Sequence, residues 1–154
     1  MRGKPVAKRV ISPDPKFGSQ KIAKFINYIM QDGKKTIAQK IVYNSFEIVS
    51  DKTKRDPMEI FEAAINNVAP ALVVKSRRVG GANYQIPMAV SAEEKLKYAF
   101  HWIIDAARAK KGKPMAEKLA NEFLAAAQNE GDAIKKKEDT HRMAEANKAF
   151  AHFA

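Results

Sequence analysis

Residues 72–90 read Leu72-Val73-Val74-Lys75-Ser76-Arg77-Arg78-Val79-Gly80-Gly81-Ala82-Asn83-Tyr84-Gln85-Ile86-Pro87-Met88-Ala89-Val90. β-Forming residues enter a Gly-Gly-Ala-Asn turn, and on the way out Tyr84, Ile86, Met88 and Val90 alternate with Gln85, Pro87 and Ala89. That pattern predicts a β-hairpin with a glycine tip. Pro87 confines its strand to an edge. A lone hairpin is marginal in water, so this one must lean on helices or on a partner. Lys75 and Arg77 share one face of the first strand, and Val74 and Arg78 the other. The charges suit either a thin element that enters an RNA groove or an ordinary edge hairpin blunted against aggregation.

Outward from the hairpin the period is helical. Upstream, Ile22, Phe25, Ile26, Ile29 and Met30 recur at three- and four-residue steps from Ser19, with Gly33 as a stop. A second helix is expected over roughly 35–50, with Ile37, Ile41, Ile48 and Val42, Phe46, Val49 in two adjacent rows. Lys52, Lys54 and Arg55 then form a basic loop. Asp56-Pro57-Met58-Glu59 is a helix start, with an oxygen cap, Pro at the first position and Glu three after the cap. Ile60, Ala64, Ile65 and Val68 follow, and Pro70 ends that helix. Downstream, Ser91-Ala92-Glu93-Glu94 is a capping box. It opens a fourth helix with Leu96, Phe100, Ile103, Ile104 and Ala107 inside, closed by Lys110, Lys111 and Gly112. A fifth helix starts near Pro114, uses Leu119, Phe123, Leu124 and Ala127, and stops at Gly131. The segment 132–153 is helical by composition, but its apolar face (Ile134, Met143, Ala144, Phe150) is sparse and predicts a helix lying over a partner. The first eighteen residues form a basic arm, because Pro5, Pro13 and Pro15 block a helix and little is present to bury. The expected fold is mainly α: a single helical domain of about six helices over 19–154, one protruding hairpin at about 72–90, and a flexible basic arm over 1–18.

Lys and Arg total 28 against 17 Asp and Glu, a formal charge of +11 on 154 residues. A compact domain with that charge repels itself unless a polyanion neutralises it. No apolar run approaches the ~20 residues that span a bilayer, and no secretory leader pattern opens the sequence. With no Cys, disulfides, Cys-ligated zinc and Cys nucleophiles are excluded. His101 follows Phe100 inside a helix and reads as a packed or surface imidazole. Glu138 with His141, and His152 further on, lack a zinc spacing. Glu93 and Glu94 are explained as helix-start charges. Glu138 and Asp139 balance the neighbouring lysines, and Ser45, Ser50 and Ser76 lack an elbow context. Gly80-Gly81 is followed by a strand rather than a Walker lysine. Neither a catalytic site, a metal site nor a cofactor is expected.

The basic clusters carry more information. They are the arm (Arg2, Lys4, Lys8, Arg9), Lys34-Lys35, the hairpin (Lys75, Arg77, Arg78), the run Arg108, Lys110, Lys111, Lys113, and Lys135-Lys136-Lys137 with Arg142. Spread over loops, helix ends and a hairpin, they suit a shaped polyanion better than a flat membrane. The last helix offers mostly Ala opposite its charge, which disfavours membrane binding.

The run 74–87 resembles the signature of the small-subunit ribosomal protein seven family in its bacterial or organellar form. Pro13-Asp14-Pro15-Lys16-Phe17, Lys24-Phe25-Ile26-Asn27 and Asp32-Gly33-Lys34-Lys35 match in order. So does the close from Lys135 through Glu138-Asp139 to His141-Arg142-Met143-Ala144-Glu145-Ala146-Asn147-Lys148-Ala149-Phe150-Ala151-His152, so the resemblance covers nearly the whole chain. It implies a structural protein that binds the three-prime major domain of small-subunit ribosomal RNA and organises the subunit head beside neighbouring proteins. It places the hairpin near tRNA at the exit site, and the protein on cytoplasmic or organellar ribosomes. The implied RNA contacts are Arg2, Lys4, Lys8, Arg9, Lys34, Lys35, Lys75, Arg77, Arg78, Arg108, Lys110, Lys111, Lys135, Lys136, Lys137 and Arg142, with Gly80, Gly81, Ala82 and Asn83 nearest tRNA. The sequence departs from the family after Val90, where Ser91-Ala92-Glu93-Glu94 replaces several arginines, so no contact is assigned to 91–94. A general RNA binder outside the ribosome is the alternative reading.

Overall fold

The structure, a computed structural model, describes Gly3, Val6 and residues 9–153; Arg2, Lys4 and Lys8 lie outside the described residues. Among the described residues there are six α-helices and one two-stranded antiparallel sheet, so the chain is mainly α. It divides into two compact units, Met1–Gln39 and Lys40–Ala154.

In the first unit the chain turns at Asp14, the one acid of the basic arm. Its carboxylate accepts the N–H groups of Lys16 and Phe17, each at 3.1 Å, and its carbonyl accepts that of Gly18 at 2.7 Å. Two backbone donors explain why an acid among lysines is only 3% exposed. Helix α1 (Gln20–Ile29) follows, with Ile22, Ala23, Phe25, Ile26 and Ile29 buried at the predicted spacing. It ends at Ile29, before Gly33 is reached, and Met30 is half-buried. Helix α2 (Lys35–Thr53) runs on into the second unit and is longer than expected, so Lys52 is helical rather than part of a loop. Of its two predicted rows, Val42, Phe46 and Val49 are buried, Ile41 and Ile48 half-buried, and Ile37 is 53% exposed.

The second unit is built around three rings. Phe46 of α2, Phe61 of α3 (Pro57–Val68) and Phe123 of α5 (Met115–Ala127) meet with centroids 5.4, 6.0 and 5.5 Å apart. Tilted and edge-on contacts of this kind add to the burial of the rings themselves. Asp56 caps α3 by accepting the Met58 N–H at 2.9 Å, and Pro57 opens the helix as its fixed φ allows. The capping box of α4 (Ala92–Ala109) is complete: the Ser91 hydroxyl accepts the Glu94 N–H, and the Glu94 carboxylate accepts the Ser91 N–H. Leu96 in α4 and Leu124 and Ala127 in α5 are half-buried rather than core.

The last segment differs from expectation in two ways. It is helix α6 (Asp132–Ala146) followed by a 3₁₀ turn (Lys148–Phe153), not one helix. Nor does α6 lie loose: it packs against α3, α4, α5 and the hairpin. It does so through small residues, Ala133, Ala144 and Thr140 with Ile134, while Met143 stays half-exposed. Alanine lets a helix approach closely, so a sparse apolar face still docks. Gly131, expected to stop α5, is instead the N-cap of α6.

Strands β1 (Leu72–Val79) and β2 (Ala82–Ala89) pair from Leu72↔Ala89 to Val79↔Ala82. Gly80 and Gly81 make the two-residue turn with φ of 58° and 89°, the left-handed values that such a hairpin requires at both positions. The hairpin leans on α6 and on the 3₁₀ turn, where Tyr84, in its outer half, meets Phe150 at 5.2 Å. Val73 and Ile86 are buried nearer its base, while residues 75–78 and 80–83 are exposed.

Phe123→Ala should destabilise the protein by about 3–5 kcal/mol, because two rings lose their partner around a cavity. Urea unfolding with an unchanged m-value is the check.

Candidate nucleic-acid interface

The hairpin carries its cations in a graded way. Near the base, the Lys75 ammonium meets the Glu94 carboxylate at 3.2 Å, so the first strand is tied to the start of α4. The Ser91 N–H, and then Lys75, hold the Glu94 carboxyl below its ordinary value of 4.5. Further out, Arg77 stands opposite Tyr84 and Arg78 opposite Asn83, and both arginines are exposed. The tip Gly80-Gly81-Ala82-Asn83 is exposed too. A bare glycine backbone there allows another backbone to approach closely.

A second basic region forms where three helices meet. Lys110 ends α4 and directs its ammonium onto the Oε2 of Glu122, a carboxylate in α5 with no exposed surface. The other oxygen, Oε1, accepts the N–H of Ala133 in the first turn of α6 at 3.0 Å. A negative charge at a helix N-terminus is favoured by its free N–H groups and dipole. One carboxylate therefore holds the end of α4 and the start of α6. Gly131 makes room for it, since a Cβ there would lie 3.0 Å from Oε1 and 3.1 Å from the Ala125 Cβ. In this way the cluster Arg108, Lys111, Lys113 and the cluster Lys135–Lys137 are joined, although more than twenty residues separate them in sequence.

Not every lysine of these clusters faces outward to the same degree. Lys110 is engaged with Glu122, and Lys137 donates to the Asn67 carbonyl at 2.6 Å. Lys135 pairs with Asp132 and Arg142 with Asp139, each at 3.5 Å on the surface. Arg108 is exposed, and Arg78, Lys111 and Lys136 are exposed with no side-chain hydrogen bond or ion pair among the described residues. In the first unit Arg9 is exposed, Lys35 opens α2 exposed, and Lys34 lies 3.7 Å from Asp32.

His141, which the spacing argument rejected as a zinc ligand, has a structural task. Its Nε2 accepts the Ala71 N–H at 3.1 Å, fixing the chain where it enters the hairpin. Burial, and then the charge of Lys137, push its pKa below 6.5. Among the described residues no cluster of His, Asp and Glu could hold a metal ion, and no helix is long and apolar enough to cross a membrane.

Sequence reasoning missed Glu122 and Gly131. A signal for Glu122 was present, since it falls at helical steps from Leu119 and Ala126 and so lies on the buried stripe of α5. Nothing in the spacing separates a glycine that ends one helix from a glycine that begins the next.

A helical scaffold with an exposed arginine hairpin and lysine-rich helix ends defines a basic RNA-binding class of protein. The chain matches the family described as ribosomal protein S7p/S5e over residues 1–148, and it belongs to that family. It is 60% identical over 153 residues to the small ribosomal subunit protein uS7 of Thermotoga maritima, covering 99% of each chain. The protein of that name from Caldanaerobacter subterraneus is 58% identical over 149 residues, 97% of this chain and 96% of the relative. That of Moorella thermoacetica is 54% identical over 148 residues, 96% and 95% respectively.

Lys110→Met should cost about 3–5 kcal/mol by leaving the Glu122 carboxylate buried without its cation. Lys111→Met, one residue on and exposed, should stay within about 0.5 kcal/mol; parallel urea melts separate the two. As pH falls through 6.5 the unfolded chain gains a proton that native His141 resists, so stability is complete above that pH and is lost below it. The unfolding midpoint should therefore drop between neutral pH and the acid side of that value, and His141→Gln should flatten this part of the profile.

Proposed function

We propose that the chain is a structural, non-catalytic constituent of the small ribosomal subunit. It binds the three-prime major domain of the ribosomal RNA, organises the subunit head with neighbouring proteins, and acts where the ribosome works, in the cytoplasm. The observation that carries this reading is identity of 60% across 99% of both chains with a protein named for that subunit. The physical arrangement supports it: cations stand on an exposed hairpin and on converging helix ends, which suits phosphate contacts to a folded RNA.

The hairpin arginines Arg77 and Arg78 contact RNA, and the tip from Gly80 to Asn83 faces tRNA at the exit site. Lys75 joins the hairpin contacts, and Arg108, Lys111, Lys135, Lys136 and Arg142 form the second contact region together with Lys110 and Lys137, which Glu122 and the Asn67 carbonyl hold in place. Arg2, Lys4, Lys8 and Arg9 add RNA contacts from the basic arm that precedes the Asp14 turn, with Lys34 and Lys35 beside the start of α2.

Filter binding at two salt concentrations tests the reading, with the three-prime major domain set against a scrambled RNA of equal length. Affinity should favour the ribosomal fragment and fall with a log–log slope of about −0.7 to −0.9 per neutralised phosphate. Equal binding to both would make the protein a general RNA binder instead. Arg77→Glu with Arg78→Glu should weaken binding roughly tenfold or more while the melting temperature holds. A collapse in melting temperature would make the two arginines structural.

A further inference from the structure

The exposed side of α4 carries an aromatic pair that the scaffold does not need. Tyr98 and Trp102 are one turn apart, with ring centroids 5.6 Å apart at 42°. Both are half-exposed, whereas Phe46, Phe61, Phe100 and Phe123 are fully buried. The indole forms one wall of an open concavity of about 300 Å³, completed by Asp105, Ala106, Ala109, Asp132 and Lys136. It lies at the junction where Glu122 joins the end of α4 to the start of α6, beside the two basic clusters. The floor is made of alanines, so a flat ring can lie against it without displacing a side chain.

The chemistry of the walls selects among the parts of a nucleic acid. A phosphate is disfavoured, because Asp105 and Asp132 line the space beside the single lining lysine Lys136, and Lys135 is already paired with Asp132. A nucleobase fits better, since indole offers a π-face for stacking, backed by Tyr98, and Asp105 offers an acceptor beside the Lys135-paired Asp132. Uracil carries no exocyclic amine for such acceptors, whereas cytosine, adenine and guanine do. Lys136 and the exposed Lys111 supply the positive surroundings that bring the strand in. We propose that the Trp102 concavity is a stacking site for one unpaired, amino-bearing base of the bound RNA. The proposal rests on the RNA-binding reading above and adds to it a base-specific contact.

Trp102 is the sole tryptophan, so its emission reports on the site directly in the full-length chain. Eight-nucleotide oligo(C), oligo(U) and an abasic strand of equal length are the probes, alongside the ribosomal RNA fragment. Oligo(C) and the fragment should quench Trp102 emission, oligo(U) should do so less, and the abasic strand should leave it unchanged. Trp102→Leu should weaken oligo(C) binding about fivefold or more and Trp102→Phe much less, since stacking needs the ring. Asp105→Asn should narrow the preference for C over U. Binding of the fragment by filter assay with no change in emission overturns the stacking site and leaves the RNA-binding function intact. Equal quenching by the abasic strand overturns it as well. Equal oligo(C) affinity for the Leu and Phe variants, both with native circular dichroism, likewise overturns it. Failure to bind any RNA removes the reading on which the site rests.

Discussion

A single buried carboxylate sets the geometry of the second unit. Glu122 has no exposed surface, yet both of its oxygens are used: one meets the Lys110 ammonium and the other the Ala133 N–H. A buried carboxylate without such partners is strongly unfavourable, so three helices must keep their mutual positions for both Glu122 oxygens to stay satisfied. This is a constraint of placement more than a source of net stability, because desolvation offsets much of the attraction. The phenylalanine triad supplies the non-directional part of the packing, and Glu122 fixes where the helix ends lie. Gly131 belongs to the same arrangement, since any larger residue would meet the carboxylate at its cap position.

That clamp explains how so basic a chain places its charge. Some cations serve the fold and others face solvent, and neighbours in sequence are divided between the two tasks. Lys110 is turned inward while Lys111 stays exposed. Lys137 holds the Asn67 carbonyl at the end of α3, whereas Lys136 lines the concavity on α4. Inward lysines lower the self-repulsion of the unit by pairing with oxygen atoms. The outward ones are carried on helix ends whose spacing Glu122 holds, so the positive surface is rigid. A rigid charged surface avoids the ordering cost that a flexible one would pay on binding a folded RNA.

Much of this was legible in the sequence where the signal is local. The Ser91 capping box, the Asp56-Pro57 start and the Gly80-Gly81 turn each depend on residues within a few positions, and each is found as read. The alternation of Tyr84, Ile86 and Met88 was legible for the same reason, as strand pairing here links near neighbours. What escaped depends on distant partners. Glu122 falls on the buried stripe of α5, but nothing local says that Lys110 and the start of α6 converge on it. Asp14 reads as a stray charge until its carboxylate is seen to cap the turn at Lys16 and Phe17. The last helix has few large apolar residues, which by itself predicts weak docking on the core. At a close helix crossing alanine is an asset, and Ala133 and Ala144 are buried there. For the interface, the charge clusters were plain in sequence, but their division into inward and outward members was not.

The hairpin completes the logic, because its two ends obey different rules. At the base Val73 and Ile86 are buried, the Ala71 N–H is held by His141, and Lys75 is held by Glu94. A hairpin alone would be marginal, and these contacts with α4 and α6 supply what it lacks. Beyond Tyr84, which packs on Phe150, the hairpin ends in the exposed Arg78 and a glycine turn. Pro87 adds no donor to the strand edge, which together with the charges guards against pairing with another sheet. An element fixed at its root and bare at its end can be aimed by the body while still meeting a large partner at close range. Since α6 supports the hairpin root and, through Ala133, accepts the Glu122 clamp, hairpin and basic helix ends are aimed together by the same buried charge.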